Sequence, residues 1–427
     1  MREEETSAKR QAGEAYRGFL ARLAEVRGQG VSLGLDRIRL VLERLGSPER
    51  RVPAVHIAGT NGKGSCAAIC DSILRRAGFR TGLFTSPHLT RFTERIRIDG
   101  VEIDGDRLAA LDQAVVATRV PLTFFEVSTV LAFLAFAEAG VDVAVFETGL
   151  GGRLDATTAC QPLACGITSI ALDHEAILGH TLAQIAYEKA CIAKPSVPLL
   201  LGPLSPEADN TIAEVARRVG AKVRRPGSDY PPAPAPPALA GAHQLANAAL
   251  AVALCREAAQ ALGRRLDDAA VLAGLADVRW PGRLERITGD VLLDCAHNVE
   301  GAQALAAALP PAGRRVLVTS IVRDKNAAAM LALLAPEFDR VVVTRSPSER
   351  AAEPAQLARL VGQTRAGNRD VRCVEDPRVA LAEARAYAME APDGLVVVAG
   401  SIFLVGALRN QIAGVSQRTA DASDPLP

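Results

Sequence analysis

Lysine is scarce in this chain. Basic character comes almost wholly from arginine, and the only lysines are Lys9, Lys63, Lys189, Lys194, Lys222 and Lys325, so a lysine inside a motif carries weight. An excess of charge is also missing: 49 Lys and Arg against 48 Asp and Glu leave a net +1. That balance gives no electrostatic footprint for nucleic acid or an anionic membrane as partner. No apolar run reaches the ~20 residues a membrane span needs. Met1-Arg2-Glu3-Glu4-Glu5 is acidic with no apolar stretch behind it, so no secretory leader is expected. Paired C-x-x-C spacing is absent as well. The 8 cysteines are scattered among apolar neighbours, as at Cys66, Cys70, Cys165 and Cys255, which reads as reduced core thiols rather than disulfides or zinc. A cytoplasmic protein is expected.

What is present is a chain of 427 residues, 49% hydrophobic and 23% charged, enough for two or three domains around large cores. Apolar β-like runs at 55–58, 81–85, 141–147, 165–170, 198–201, 291–295, 315–320, 341–344 and 395–399 alternate with helical patterns. The helical stretches include 65–77, 127–139, 205–219, 246–261 and 300–308. The fold class predicted is therefore α/β, with parallel sheets covered by helices on both faces. Ligands of such folds sit beyond the carboxyl ends of the strands. The proline-rich run 231–237 is one candidate linker and Trp280-Pro281-Gly282-Arg283 another. The second is favoured, because the stretch between them carries a motif that belongs with the nucleotide. The division expected is a parallel-sheet P-loop unit at 1–280, a smaller Rossmann-like α/β unit at 284–415 and a flexible tail at 416–427.

One motif stands out. Ala58-Gly59-Thr60-Asn61-Gly62-Lys63-Gly64-Ser65 follows the apolar run Val55-His56-Ile57 and leads into a helical pattern. A glycine-rich turn between strand and helix lets backbone N–H groups converge on an anion at the positive helix end. Lys63 adds a point charge for terminal phosphates and Ser65 a hydroxyl. This is a variant P-loop: the common pattern has a glycine six residues before the lysine and Ser or Thr right after it, where this chain has Ile57 and Gly64. A plain glycine turn is the other reading.

Further candidates sit at strand ends. Ser86 follows the second strand, and Glu147 ends a central apolar strand, where a carboxylate in a P-loop sheet holds Mg²⁺ or simply faces solvent. His174 is a ligand-end histidine or a loop histidine, and Lys189 closes a helical pattern where a lysine is ordinarily a solvated charge. Asn247 opens a helix from which it can reach an adenine or its ribose. Arg283 puts a guanidinium at a turn, and Asp294 ends a strand in Asp294-Cys295-Ala296-His297-Asn298.

Taken together, the order and spacing of these blocks resemble the folylpolyglutamate synthases of the Mur ligase superfamily, and among them the bacterial bifunctional dihydrofolate synthases. The likeness runs from about Ser32 to Leu408 and includes Gly34-Leu35-Asp36-Arg37, Ser86-Pro87-His88-Leu89-Thr90, Phe125-Glu126, the 149–156 stretch and Glu188-Lys189-Ala190. It implies an ATP-dependent ligase that activates a dihydropteroate or folate carboxylate as an acyl phosphate and couples it to L-glutamate. The resemblance places the ATP phosphates on Thr60, Asn61, Gly62, Lys63, Gly64 and Ser65, with Asn247, Arg283, Asp294 and His297 as further nucleotide contacts. Ser86 and Glu147 would hold one Mg²⁺, and His174 would lie near a second. Lys189 stands where the family carries a CO₂-derived carbamate, which turns a cation into an oxygen ligand. Lys63, His174 and Lys189 would thus be the catalytic groups. Ser32, Leu33, Thr123, Phe124, Phe125, Glu126, Arg153, Leu154 and Asp155 would form the pteridine-side pocket.

The Arg153-Leu154-Asp155 stretch favours both activities, on dihydropteroate and on a reduced folate such as tetrahydrofolate. Departures at Thr158, Cys191 and Asn326 touch pocket shape and tail-length preference, not the phosphate or metal positions. Folylpolyglutamate synthase activity alone, or a Mur-type peptide ligase, are the alternatives. The latter would need a separate nucleotide-sugar domain, and only about fifty residues precede the P-loop. A monomer is expected.

Overall fold

The computed structural model describes residues 2–27, 34–364 and 370–412, with side chains from Gly13 onward. Ser32, Leu33 and the expected tail at 416–427 lie outside the described residues.

Two mixed, mostly parallel sheets organise the chain. The first contains β1 (Pro53–Ala58), β2 (Thr81–Phe84), β3 (Ile96–Ile98), β4 (Val101–Glu102), β5 (Val143–Glu147), β6 (Gln161–Ile167), β7 (Pro198–Leu201) and β8 (Lys222–Arg224). Its spatial order is β4-β3-β2-β5-β1-β6-β7-β8. The second contains β9 (Glu285–Thr288), β10 (Val291–Leu293), β11 (Arg315–Thr319), β12 (Arg340–Val343), β13 (Asp370–Cys373) and β14 (Leu395–Ala399), in the order β13-β12-β11-β14-β10-β9. Apolar runs become the central strands because both of their faces are covered. β1 is buried from Ala54 to Ala58 and runs parallel between β5 and β6, with Ile57 opposite both Glu147 and Gly166. The carboxyl ends of these three strands therefore lie side by side.

Helices fix what leaves those ends. The Lys63–Arg76 helix is buried from Gly64 to Leu74, packed against the His243–Ala261 and Asp268–Asp277 helices through Ile69, Ile73, Leu254 and Val271. The Phe124–Ala139 helix is apolar all round and accordingly sunk in the core. Capping boxes start it and the Leu182–Ala190 helix: Thr123 with Glu126, and Thr181 with Gln184. The second box pins the helix that carries Lys189.

Several details differ from the sequence reading. The sheets are mixed, because β3 and β9 pair antiparallel with β2 and β10, and β4 pairs antiparallel with β3. Strands as short as β3, β4 and β8 carry too few residues to show a period. The strand expected at 165–170 is β6, Gln161–Ile167, ending earlier because Thr168 and Ser169 turn to bond the glycine loop. The proline-rich run is no free spacer, since Ala233 and Ala235 pack on the core. Among the described residues, no helix is long and apolar enough to cross a membrane.

Candidate active site

The Gly59–Ser65 loop leaves β1 at the centre of the first sheet and is stapled to the chain that leaves β6. Thr60 N–H donates to the Ser169 carbonyl (2.7 Å), Asn61 N–H to the Ser169 hydroxyl (3.1 Å) and the Thr168 hydroxyl to the Asn61 carbonyl (2.6 Å). A β-carbon at Gly59 would lie 1.9 Å from the Thr168 Oγ1, so this contact requires glycine. At Gly64, a β-carbon would stand 3.0 Å from Nε1 of Trp280 and 3.4 Å from Oε2 of Glu147. That closeness explains the missing Ser or Thr after the P-loop lysine: the place is filled from outside by the Trp280 ring.

Both motif lysines converge on one oxygen. Lys63 Nζ donates to the Gly59 carbonyl (3.1 Å) and to that of Thr60 (3.0 Å), and Lys189 Nζ donates to the same Gly59 oxygen (2.8 Å). Lys189 is buried, which together with the neighbouring Lys63 charge pushes its amine down to about 7. Burial lowers Lys63 as well, with Glu147 and Asp173 pulling the other way.

Glu147, at the end of β5, is buried and accepts the Ser86 N–H at 3.0 Å. Burial raises its carboxyl, opposed by Lys63, by the Ser86 bond and by Arg283. Gly64, Ser86, Glu147, Trp280, Arg283 and Arg97 line one cavity between the sheets. A buried carboxylate beside a hydroxyl supplies the hard oxygen donors a divalent cation takes, with substrate phosphates completing its shell. Among the described residues, no group of three His, Cys, Asp or Glu side chains is placed to hold a metal by itself.

On the far side of the loop the second sheet closes in. Asn61 and Asn298 exchange amide hydrogen bonds at 3.1 and 3.0 Å, and Asn298 also donates to Asp173 (2.9 Å). Glu300 accepts from Asn61 and Ser169, and Lys325 pairs with Asp173, both side chains almost fully covered. Burial alone would raise Asp173, yet the His174, Lys325 and His297 charges hold it well below the usual carboxylate range. Although His174 presents much of its surface to solvent, the protein around its ring and the Lys325 charge push its imidazole down to about 4. His297 donates through Nδ1 to the Cys295 carbonyl (2.9 Å) and is likewise held near about 4 by burial and Lys325.

Of the remaining expected nucleotide residues, Asn247 borders the same loop and Asp294 lies at the turn that carries Arg283. Asn247 Oδ1 lies 2.5 Å from where a β-carbon on Gly62 would be, and Gln244 links Asn247 to the Ser65 hydroxyl. Each oxygen of Asp294 accepts one backbone bond, from Leu284 and Ala296, leaving one lone pair on each.

The expected pteridine-side residues also come together. Phe125 lies against Gly149, Phe124 under the Arg95 guanidinium, and Glu126 pairs with Arg37 at 3.1 Å. Arg153 is exposed and bonds Glu188 at 2.9 Å, tying its loop to the helix of Lys189, with Leu154 half-buried beside it. Asp155 also organises its own loop. Its carboxylate accepts from Gly149 N–H, Leu150 N–H, Thr157 N–H and the Thr157 hydroxyl. Behind it, the buried His56 of β1 bonds Thr157 at 2.8 Å, and burial drives its imidazole down to about 3, so it is neutral.

Sequence reasoning gave no role to Trp280, Glu300, Asn298, Asp173 or Lys325. Only Lys325 had a usable signal, as one of so few lysines.

Residues 282–402 match the family model described as Mur ligase, glutamate ligase domain. The chain is 37% identical to the dihydrofolate synthase/folylpolyglutamate synthase of Mycobacterium tuberculosis, over 88% of this chain and 89% of that protein. It is 35% identical to a probable bifunctional folylpolyglutamate synthase/dihydropteroate synthase of Haloferax volcanii, over 91% of this chain, and spans only 49% of that longer protein. Escherichia coli FolC in complex with DHPP and ADP superposes with a TM-score of 0.84 at 32% identity, covering 93% of this chain and 98% of the other. A bifunctional folylpolyglutamate synthase/dihydrofolate synthase with Mn, AMPPNP and L-glutamate bound gives 0.82 at 31% identity, covering 92% and 98%. With this identity over most of both chains, the chain belongs to the dihydrofolate synthase/folylpolyglutamate synthase family of Mur ligases.

Proposed function

We propose that this chain joins L-glutamate to two kinds of acceptor, dihydropteroate and a reduced folate, through one ATP-driven site between its sheets. The observation that carries the reading is the convergence on one cavity of Gly64 from the loop, Ser86 and Glu147 from the first sheet, and Arg283 from the turn into the second. In the reaction the acceptor carboxylate attacks the γ-phosphate, ADP leaves, and the glutamate amine then displaces phosphate from the acyl phosphate. Two anions must meet, so cations must surround them. Lys63 and Arg283 supply fixed positive charge, and the loop N–H groups with the end of the Lys63–Arg76 helix supply oriented dipoles.

A Mg²⁺ held by Ser86 and Glu147 would neutralise phosphate oxygens and stabilise the charge that spreads in the transfer. Lys189, pushed down to about 7 and so partly deprotonated near neutral pH, suits reaction with CO₂, and its carbamate with His174 would serve a second cation. Asn61, Asn298, Asp173 and Lys325 hold the second sheet over the loop and keep water from the acyl phosphate. Asn247, Asp294 and His297 border the nucleotide from the other side, and Phe124, Phe125 and Leu154 the pteridine. Helices 243–261 and 268–277 pack on the first sheet, which supports a domain division near 280–284. All eight cysteines are unbridged, which suits the cytoplasm.

The intermediate is testable directly. Acceptor with a heavy-oxygen-labelled carboxylate should pass one label to inorganic phosphate during turnover. Unlabelled phosphate with product formed would overturn the acyl-phosphate route.

A further inference from the structure

The cavity between the sheets contains a cation that the reaction just described leaves unused. Arg97 projects from β3 into the wall shared by Ser86, Glu147 and Arg283. Its guanidinium sits over the indole of Trp280, 5.6 Å from the ring centroid, while Trp280 in turn covers Gly64. The buried Nε of Arg97 has no hydrogen-bond partner. Its nearest anion is Glu102, at 3.7 Å, and that carboxylate is already held by Arg91 at 2.9 and 3.1 Å and by the Thr93 hydroxyl at 2.8 Å. Of the two acids in the wall, Glu94 accepts from the N–H groups of Leu89, Thr90 and Arg91, and Glu147 from that of Ser86. Glu102 and Glu94 are thus engaged elsewhere, and the Arg97 Nε is left without a carboxylate partner at the cavity wall.

Resting on the ligase reading above, we infer that Arg97 is a specificity-determining residue that receives a carboxylate of a glutamyl unit beside the reacting centre. Dihydropteroate carries only the carboxylate that reacts. A folate acceptor carries a second, spectator carboxylate next to it, and the incoming L-glutamate carries two. A guanidinium stacked on an indole is pre-oriented for such a group, since the ring fixes its plane and leaves its edge free. Arg97 therefore reads the carboxylates of the glutamyl units, whereas the phosphate-side groups do not.

The test compares wild type with Arg97→Met, which keeps a long apolar stem over Trp280, and with Arg97→Lys. KM and kcat are measured for dihydropteroate, for tetrahydrofolate and for L-glutamate with each acceptor. Loss of a charge-assisted bond raises the relevant KM about tenfold or more. A rise for tetrahydrofolate alone assigns the acceptor's spectator carboxylate. A rise for L-glutamate with both acceptors assigns the incoming one. Arg97→Lys recovers part of either. Binding is read independently of turnover from the single tryptophan: Trp280 emission responds to γ-glutamyl-glutamate in wild type and not in Arg97→Met. Unchanged KM values together with an unchanged Trp280 response, in a variant that melts like wild type, would overturn the proposal. A wild type that turns over neither acceptor sinks the ligase reading instead, while the emission titration still decides the role of Arg97.

Discussion

Lys63 and Lys189, from opposite sides of the first sheet's centre, donate to the same oxygen, the Gly59 carbonyl, at 3.1 and 2.8 Å. Two ammonium groups sharing one acceptor repel each other, and the more buried one yields. That is Lys189, pushed down to about 7 by burial first and by Lys63 second.

The pH dependence of stability follows from this shift. An unfolded lysine stays protonated to about pH 10.4, whereas folded Lys189 gives up its proton near about 7. Between those values the unfolded chain binds more protons, so this residue's contribution to stability grows as pH rises and is lost as pH falls through about 7. In CO₂-free buffer, Lys189→Met should flatten that rise relative to wild type by up to about 1.4 kcal/mol per pH unit. Equal slopes in chemical denaturation would contradict the assignment.

Activity should depend on CO₂ for the same reason. Lys189→Ala should lose nearly all turnover while keeping the wild-type circular dichroism, and stripping bicarbonate should slow the wild type reversibly. Wild-type rates in the variant would remove the carbamate from the account.

Gly64→Ser restores the hydroxyl of the common P-loop but places a β-carbon 3.0 Å from Trp280 Nε1. Since a crowded contact costs about 1–3 kcal/mol, kcat/KM for ATP should fall at least about tenfold. The emission of Trp280 should shift in parallel.

Thr157→Val cuts the link between His56 and Asp155, leaving the His56 ring nitrogen and one carboxylate lone pair unpaired in the core. Such a loss costs about 1–3 kcal/mol. Because Asp155 organises Gly149 and Leu150, KM for dihydropteroate should rise while KM for ATP holds. Steady-state kinetics on both substrates check the split.

Lys325→Met leaves Asp173 covered and without its cation, at the seam between the sheets. The Asp173 carboxyl then rises, and the acidic limb of the kcat profile should move to higher pH. A fall in kcat of about 100-fold is expected from misplaced closure.

Much of this site was legible in the chain. The apolar run before Gly59 and the helical pattern after Ser65 fixed the loop at the head of a central strand, and scarcity gave weight to Lys63, whereas Lys189 drew its role only from the family resemblance. Hydrogen-bond engagement was not legible. A sequence displays the carboxylate of Asp155, but not the backbone N–H groups that bond to it. Contacts made across the cleft were equally hidden: Asn61 and Asn298 are 237 residues apart, and Arg97, Trp280 and Gly64 meet only because three separate segments converge. The short strands β3 and β9 escaped because two or three alternations carry no period, yet β3 is what delivers Arg97.

The most direct measurement is ADP release with L-glutamate and either dihydropteroate or tetrahydrofolate. The account predicts turnover that requires glutamate with each acceptor. Glutamate-independent ADP release, or none with both acceptors, would contradict it.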